Sequence, residues 1–256
     1  MSVPEGFEST NQTHLGQTRE VFRAGSGPAV IVMSEMPGIT PQVAQFARTI
    51  AAAGFSVYMP YLFGETMRPG SPGYVLGTIL GACISREFRV LASNRSSPIV
   101  DWLRALANHA HQEQGGKGVG AVGMCFTGNF ALAMMLGTKM LAPVLSQPSL
   151  PFFSKSGLHA SGAEIAAAQR LIDQDGARIL GLRFEGDPLC PGERFDRLRE
   201  TFGAAFEAIE LDPASANPAG PKPVHSVLTN HLIDEAGQPT RAALDRVLGF
   251  LAEQLK

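Results

Sequence analysis

The chain has no surplus of positive charge: 21 Lys and Arg stand against 23 Asp and Glu, a formal net charge of −2. Without a basic excess to neutralise phosphates, nucleic acid is not expected as a partner. Cysteine is scarce too. Cys83, Cys125 and Cys190 form an odd set with no CxxC, which argues against a disulfide framework or a cysteine-rich zinc site and for a reducing compartment. No apolar run approaches the roughly 20 residues of a bilayer span. The opening Met1-Ser2-Val3-Pro4-Glu5-Gly6 lacks a basic n-region and an apolar core, so no secretory signal is expected. These absences point to a cytoplasmic protein with no membrane partner.

What is present is core-forming sequence, 45% hydrophobic over 256 residues, enough for one sizeable domain. Residues 1–17 are polar and read as a peripheral segment, with an edge strand at Glu20-Val21-Phe22-Arg23. Ala29-Val30-Ile31-Val32-Met33 is continuously apolar and suits a strand buried on both faces. Thr40-Pro41 offers an N-cap and a first-turn proline for a helix to about residue 53, and Phe55-Ser56-Val57-Tyr58-Met59 is the next strand. Residues 60–96 interrupt this rhythm with prolines and glycines, leaving room for a helix around 82–92. Ser97-Pro98 opens a helix to about Gln114, and strands follow at 118–122, 141–147, 178–184 and 208–211. Helices at 161–175, 191–206 and 239–254 complete the pattern. Strand and helix alternate without a linker, which predicts a single α/β domain over 1–256 with a mostly parallel sheet and helices on both faces.

The chain is organised around Gly123-Met124-Cys125-Phe126-Thr127-Gly128, between the strand at 118–122 and a helix-favouring run, Asn129 to Leu136. A reactive residue flanked by glycines between strand and helix reads as a nucleophile elbow. The positive end of the helix favours thiolate over thiol there. An elbow usually has glycine two residues after the nucleophile, where this chain has Thr127. A small buried cysteine in a tight turn is the plainer alternative.

Asp187 follows a later strand, and His225 lies in a proline-rich loop after the next. Nucleophile, acid, histidine is the chain order of the α/β-hydrolase triad, each member beyond the C-terminal end of a strand. In that arrangement His225 accepts the Cys125 proton and Asp187 orients the imidazole. A turn-forming role for Asp187 and a backbone-bonded role for His225 stay open at this point, as does His231 in place of His225. Two other chemistries find weaker support. Gly118 to Gly123 spells GxGxxG, but there is no acidic residue from Phe126 to Ala163 for a ribose. No HExxH occurs, and His109 and His111 are two apart on a helix, on different faces, so neither a metal nor an organic cofactor is expected.

These residues resemble the dienelactone hydrolase family, a cysteine branch of the α/β hydrolases. The resemblance lies in Glu35 after the early strand, Gly123-Met124-Cys125, Asp187-Pro188-Leu189-Cys190-Pro191 and His225-Ser226, and runs from about residue 20 onward. It implies Cys125 as nucleophile, His225 as base, Asp187 as orienter, and an oxyanion hole from the backbone N–H groups of Met36 and Phe126. It also implies that Glu35 contacts the resting thiol and moves when substrate binds; a solvated strand-end acid is the alternative. In the family an arginine four residues after the histidine helps hold a substrate carboxylate. Thr229 stands there, and Arg86 or Arg89 are candidates for a second arginine. The expected activity is cleavage of an ester or lactone through a thioester, with a small molecule as the sole partner of a monomer or homodimer. A broad carboxylesterase or thioesterase acting on neutral substrates is the second reading, and an idle hydrolase fold used for binding the third.

Overall fold

The computed structural model describes residues 2–84, 97–149 and 155–256. Its strands are β1 (Glu8–His14), β2 (Gln17–Ala24), β3 (Ala29–Met33), β4 (Ser56–Pro60), β5 (Val119–Met124), β6 (Met140–Ser146), β7 (Ile179–Phe184) and β8 (Phe206–Leu211). They form one sheet in the order β1-β2-β4-β3-β5-β6-β7-β8. The pairings β1/β2 and β2/β4 are antiparallel, and all the others are parallel.

Every residue of β3, β4, β5, β6 and β7 is buried, as continuous apolar runs require of central parallel strands. The helices are α1 (Pro41–Ala52), α2 (Pro72–Ile84), α3 (Pro98–Gln114), α4 (Gly128–Ala133), α5 (Gly162–Asp175), α6 (Gly192–Phe202) and α7 (Pro239–Leu255). Their starts follow from local chemistry. Thr40 and Ser97 accept from the N–H groups of Val43 and Val100, each followed by a first-turn proline. Ser161 and Glu164 cap α5 reciprocally. On β5, a Cβ at Gly120 would press on Leu251 and Leu255 of α7, whereas one at Gly123 would meet Thr127 and Gly128. An odd spacing along a strand puts these positions on opposite faces, so α7 and the start of α4 cover different sides of the sheet.

Two expectations needed correction. The segment 1–17 contributes β1 at the edge of the sheet, which makes Glu20–Arg23 part of the second strand rather than the edge. The pairing of β1 with β2 recruits a polar strand that no apolar pattern announces. In the excursion, the structure has α2 over Pro72–Ile84, where Pro72 suits a first helical turn; residues 85–92 of the expected helix lie outside the described residues. Among the described residues no helix is long and apolar enough to cross a membrane.

The register aligns Met33 with Gly123, Met124 with Ser146, and Phe184 with Leu211. The loops after β3, β5, β6, β7 and β8 therefore leave one edge of the sheet together. Glu35, Cys125, Ser149, Asp187 and His225 all sit on those loops.

Candidate active site

Cys125 follows β5 directly and has φ +56°, the left-handed region that a non-glycine residue occupies only when its surroundings force it. Two features hold it there. A Cβ at Gly123 would lie 2.1 Å from the Thr127 carbonyl oxygen, so the approach of the turn to the strand requires glycine. The second is Thr127 itself. Its hydroxyl accepts from the Met124 N–H at 2.9 Å, and its proton faces the carbonyls of Met124, Met33 and Ser34 at 2.9, 3.1 and 3.2 Å. Threonine at the usual glycine position thus ties the elbow to the end of β3.

Asp187 is 3% exposed and follows β7 in a turn. One carboxylate oxygen accepts from the Leu189 N–H at 2.9 Å, and the other lies 2.6 Å from His225 Nδ1. Nδ1 therefore carries a proton, and Nε2 is the nitrogen turned away from the carboxylate. Nε2 is buried and has no partner in full hydrogen-bonding geometry among the described residues. Burial alone would lower the imidazole pKa; the charge of Cys125 and the bond to Asp187 outweigh it and raise the pKa to about 10. Cys125 acts on the imidazole first through charge and, more weakly, through a side-chain hydrogen bond; its Sγ also lies 3.0 Å from Ser149 Oγ.

The His225 loop is held by a residue whose role the sequence does not disclose. His231 is 1% exposed, and its Nδ1 faces the N–H groups of His225 and Ser226 at 3.4 and 3.1 Å. Its Nε2 donates to the Pro221 carbonyl at 2.8 Å. Nδ1 is thereby the acceptor, and burial lowers the ring's pKa, which suits this neutral form. Gly220 packs so close that a Cβ would sit 2.5 Å from the His231 ring. His231 supports the loop rather than standing in for His225.

Glu35 is 2% exposed, not a solvated strand-end acid. Its carboxylate accepts from Ser226 Oγ at 2.7 Å, Gln147 Nε2 at 3.1 Å, Asn230 Nδ2 at 3.5 Å and the Thr229 hydroxyl. None of these bonds reaches Cys125, in contrast to the expected contact with the resting thiol. Thr229, considered for substrate binding, gives its hydroxyl to Glu35 and is 7% exposed. Met36, proposed with Phe126 for the oxyanion hole, follows Glu35 in the same loop. Arg86 and Arg89 lie outside the described residues. His109 and His111 have partners of their own, Glu113 and the Gly116 carbonyl. Among the described residues no three His, Cys, Asp or Glu side chains are grouped to hold a metal ion.

The dienelactone hydrolase family model matches residues 17–213, well over half of the chain. The chain belongs to the dienelactone hydrolase family. A protein of Saccharomyces cerevisiae named "Putative carboxymethylenebutenolidase" is 22% identical over 266 residues, covering 99% of this chain and 92% of the relative. Among solved structures, a "Putative Dienelactone Hydrolase" from Klebsiella pneumoniae superposes with a TM-score of 0.64 at 17% identity, covering 96% of this chain and 98% of its own. The "Dienelactone Hydrolase-like Promiscuous Phospotriesterase P91" from metagenomic libraries has a TM-score of 0.63 at 19% identity and 98% coverage of each chain. The fold is that of the α/β hydrolases. As a dienelactone-hydrolase-like enzyme, the protein is a hydrolase of esters or lactones.

Cys125 and Cys190 of this dienelactone hydrolase relative differ sharply in setting. Cys125 is half-buried at the elbow, whereas Cys190 is fully buried and its thiol is pushed up to about 12 by that burial. Cys83 lies in α2. Iodoacetamide near neutral pH is expected to modify Cys125 predominantly, with loss of hydrolysis in step, as read by peptide mapping. Predominant modification of Cys83 or Cys190 with activity intact would contradict the assignment.

Proposed function

We propose that the protein cleaves a carboxylic ester or lactone through Cys125, His225 and Asp187 by way of a thioester acyl-enzyme. The observation that carries this reading is the 2.6 Å contact from Asp187 to His225, whose buried imidazole also interacts with the elbow cysteine. The match to the family model ends before His225, so the histidine's role rests on this geometry.

The Cys125 thiolate attacks the carbonyl carbon, and the electron pair displaced onto oxygen is stabilised by the backbone N–H groups of Met36 and Phe126. The oxyanion collapses, the carbon–oxygen bond breaks, and imidazolium Nε2–H protonates the leaving alkoxide. Neutral His225 then takes a proton from water as it attacks the thioester. Collapse of this second intermediate expels the thiolate, releases the acid and restores the ion pair. Asp187 holds the imidazole in its productive tautomer throughout.

The substrate is a neutral ester or lactone. Where the family has an arginine, Thr229 is turned to the buried Glu35 carboxylate, so this part of the site offers no cation to a substrate carboxylate. On a panel of neutral aryl esters, neutral lactones and dicarboxylate lactones, kcat/KM is expected to be on the order of tenfold higher for the neutral compounds. The Cys125→Ser variant should lose turnover on all of them. A strong preference for dianions would mean that other cations hold the substrate, with Arg86 and Arg89 the first to test.

A further inference from the structure

The nucleophilic sulfur has a hydrogen-bonding neighbour besides the triad histidine. It is Ser149. The chain leaves β6 beside the elbow, because Ser146 is in register with Met124. Pro148 then packs on the start of α4, where a Cβ at Gly128 would come within 2.9 Å of Pro148 Cα. Ser149 is fastened at both backbone atoms: its N–H donates to the Cys125 carbonyl at 3.1 Å, and its carbonyl accepts from Asn129 Nδ2 at 3.0 Å. Asn129 Nδ2 also bonds the Phe126 carbonyl at 3.1 Å, so one side chain joins Ser149 to the elbow. Ser149 is 6% exposed, and its hydroxyl has one partner among the described residues, Cys125 Sγ at 3.0 Å.

A buried hydroxyl needs an acceptor for its proton, and leaving it unmet is costly. A thiol is a weak donor and a weak acceptor, whereas a thiolate is a charged acceptor that strengthens the bond. We infer that Ser149 is a catalytic residue: its hydroxyl donates to Cys125 Sγ, stabilises the thiolate before substrate binds, and receives it again when the thioester breaks down. The inference rests on the nucleophile assignment above. Its consequence is an unequal effect on the two half-reactions. Sulfur loses its charge on forming the thioester and regains it on leaving, so the bond favours expulsion of the thiolate in deacylation while moderating its attack in acylation.

The other titratable and charged groups around the sulfur come from separate elements. His225 with Asp187 faces it from the loops after β8 and β7, and Glu35 lies in the loop after β3. Cys190 is buried ahead of α6, while Arg194 of α6 bonds the Pro148 carbonyl and contacts His159 at 3.2 Å. Substitution of Ser149 by a smaller side chain leaves each of these groups chemically intact.

The test is the rate of Cys125 alkylation by iodoacetamide as a function of pH, read by peptide mapping in the full-length protein. Ser149→Ala is expected to move the midpoint upward by about one unit, a tenfold loss of alkylation rate below the midpoint with the high-pH plateau retained. Ser149→Thr, which keeps the hydroxyl, should restore the wild-type midpoint. An unmoved midpoint in a folded Ser149→Ala protein would overturn the inference, whatever happens to turnover. Where Ser149→Ala does not fold, Ser149→Thr decides: a wild-type midpoint supports the bond and a raised one overturns it. Failure of the triad reading is seen separately, as full hydrolysis by Cys125→Ala.

Discussion

Asp187→Asn is expected to lower kcat by about 10³- to 10⁴-fold with little change in KM. The substitution is nearly isosteric, and the retained amide oxygen can still accept from the Leu189 N–H, so the turn after β7 should persist. What changes is the partner of His225 Nδ1. An amide nitrogen facing Nδ1 favours the tautomer with its proton on Nε2, which cannot take a proton from the attacking water. The carboxylate that stabilises the imidazolium is lost as well. Asp187 is among the groups that raise the His225 pKa, so its removal lowers that pKa. Protonated His225 should then persist only to lower pH, and any ionisation of His225 seen in the pH–rate profile should move to the acid side. Steady-state kinetics across pH check both points. A loss below about tenfold, or a profile unmoved, would show that Asp187 serves only the turn.

Gly123→Ala should cost about 3 kcal/mol of stability or more, among the largest effects of any single methyl group in this fold. The added Cβ would lie 2.1 Å from the Thr127 carbonyl oxygen, 2.7 Å from its carbon and 2.9 Å from Gly128 Cα. These are backbone atoms, held by the Thr127 hydroxyl to the end of β3, and they cannot swing aside as a long side chain does. Either the elbow opens, releasing Cys125 from its positive φ, or β5 shifts within the sheet. Gly162→Ala is the control: a Cβ there, at the start of α5, would meet nothing within 4 Å, and its effect should stay within about 0.5 kcal/mol. Denaturant midpoints for both variants make the comparison. A loss under about 1 kcal/mol for Gly123→Ala would mean the elbow is more compliant than its contacts imply.

Much of this fold is legible in the sequence for local reasons. The apolar runs of β3 and β5, the caps at Thr40 and Ser97, and the Ser161/Glu164 pair are read within a few residues. The proposed triad can be read from the sequence because Cys125 and Asp187 stand just past strands and His225 in the loop after the next, and parallel strands deliver their C-terminal ends to one edge. What escapes is non-local. The polar strand β1 is made by its partner β2, and α2 contains Gly73, Gly77 and Gly81, which read as breakers. Glu35 takes its donors from Gln147, Ser226, Thr229 and Asn230, between 112 and 195 residues away. Nothing near Glu35 in the chain signals that ownership. Ser149 and His231 escape for the same reason, since their value lies in which atoms the turns bring opposite them.

The central claim is covalent catalysis by Cys125, and acid-quenched reaction with an activated aryl ester followed by peptide mass spectrometry tests it most directly. The account predicts a burst of phenol on the order of one per active site. It also predicts a single acyl adduct on the peptide carrying Cys125, labile to hydroxylamine as a thioester is and missing from Cys125→Ala. An adduct on Ser149 or any other residue, or undiminished hydrolysis by Cys125→Ala, would contradict it.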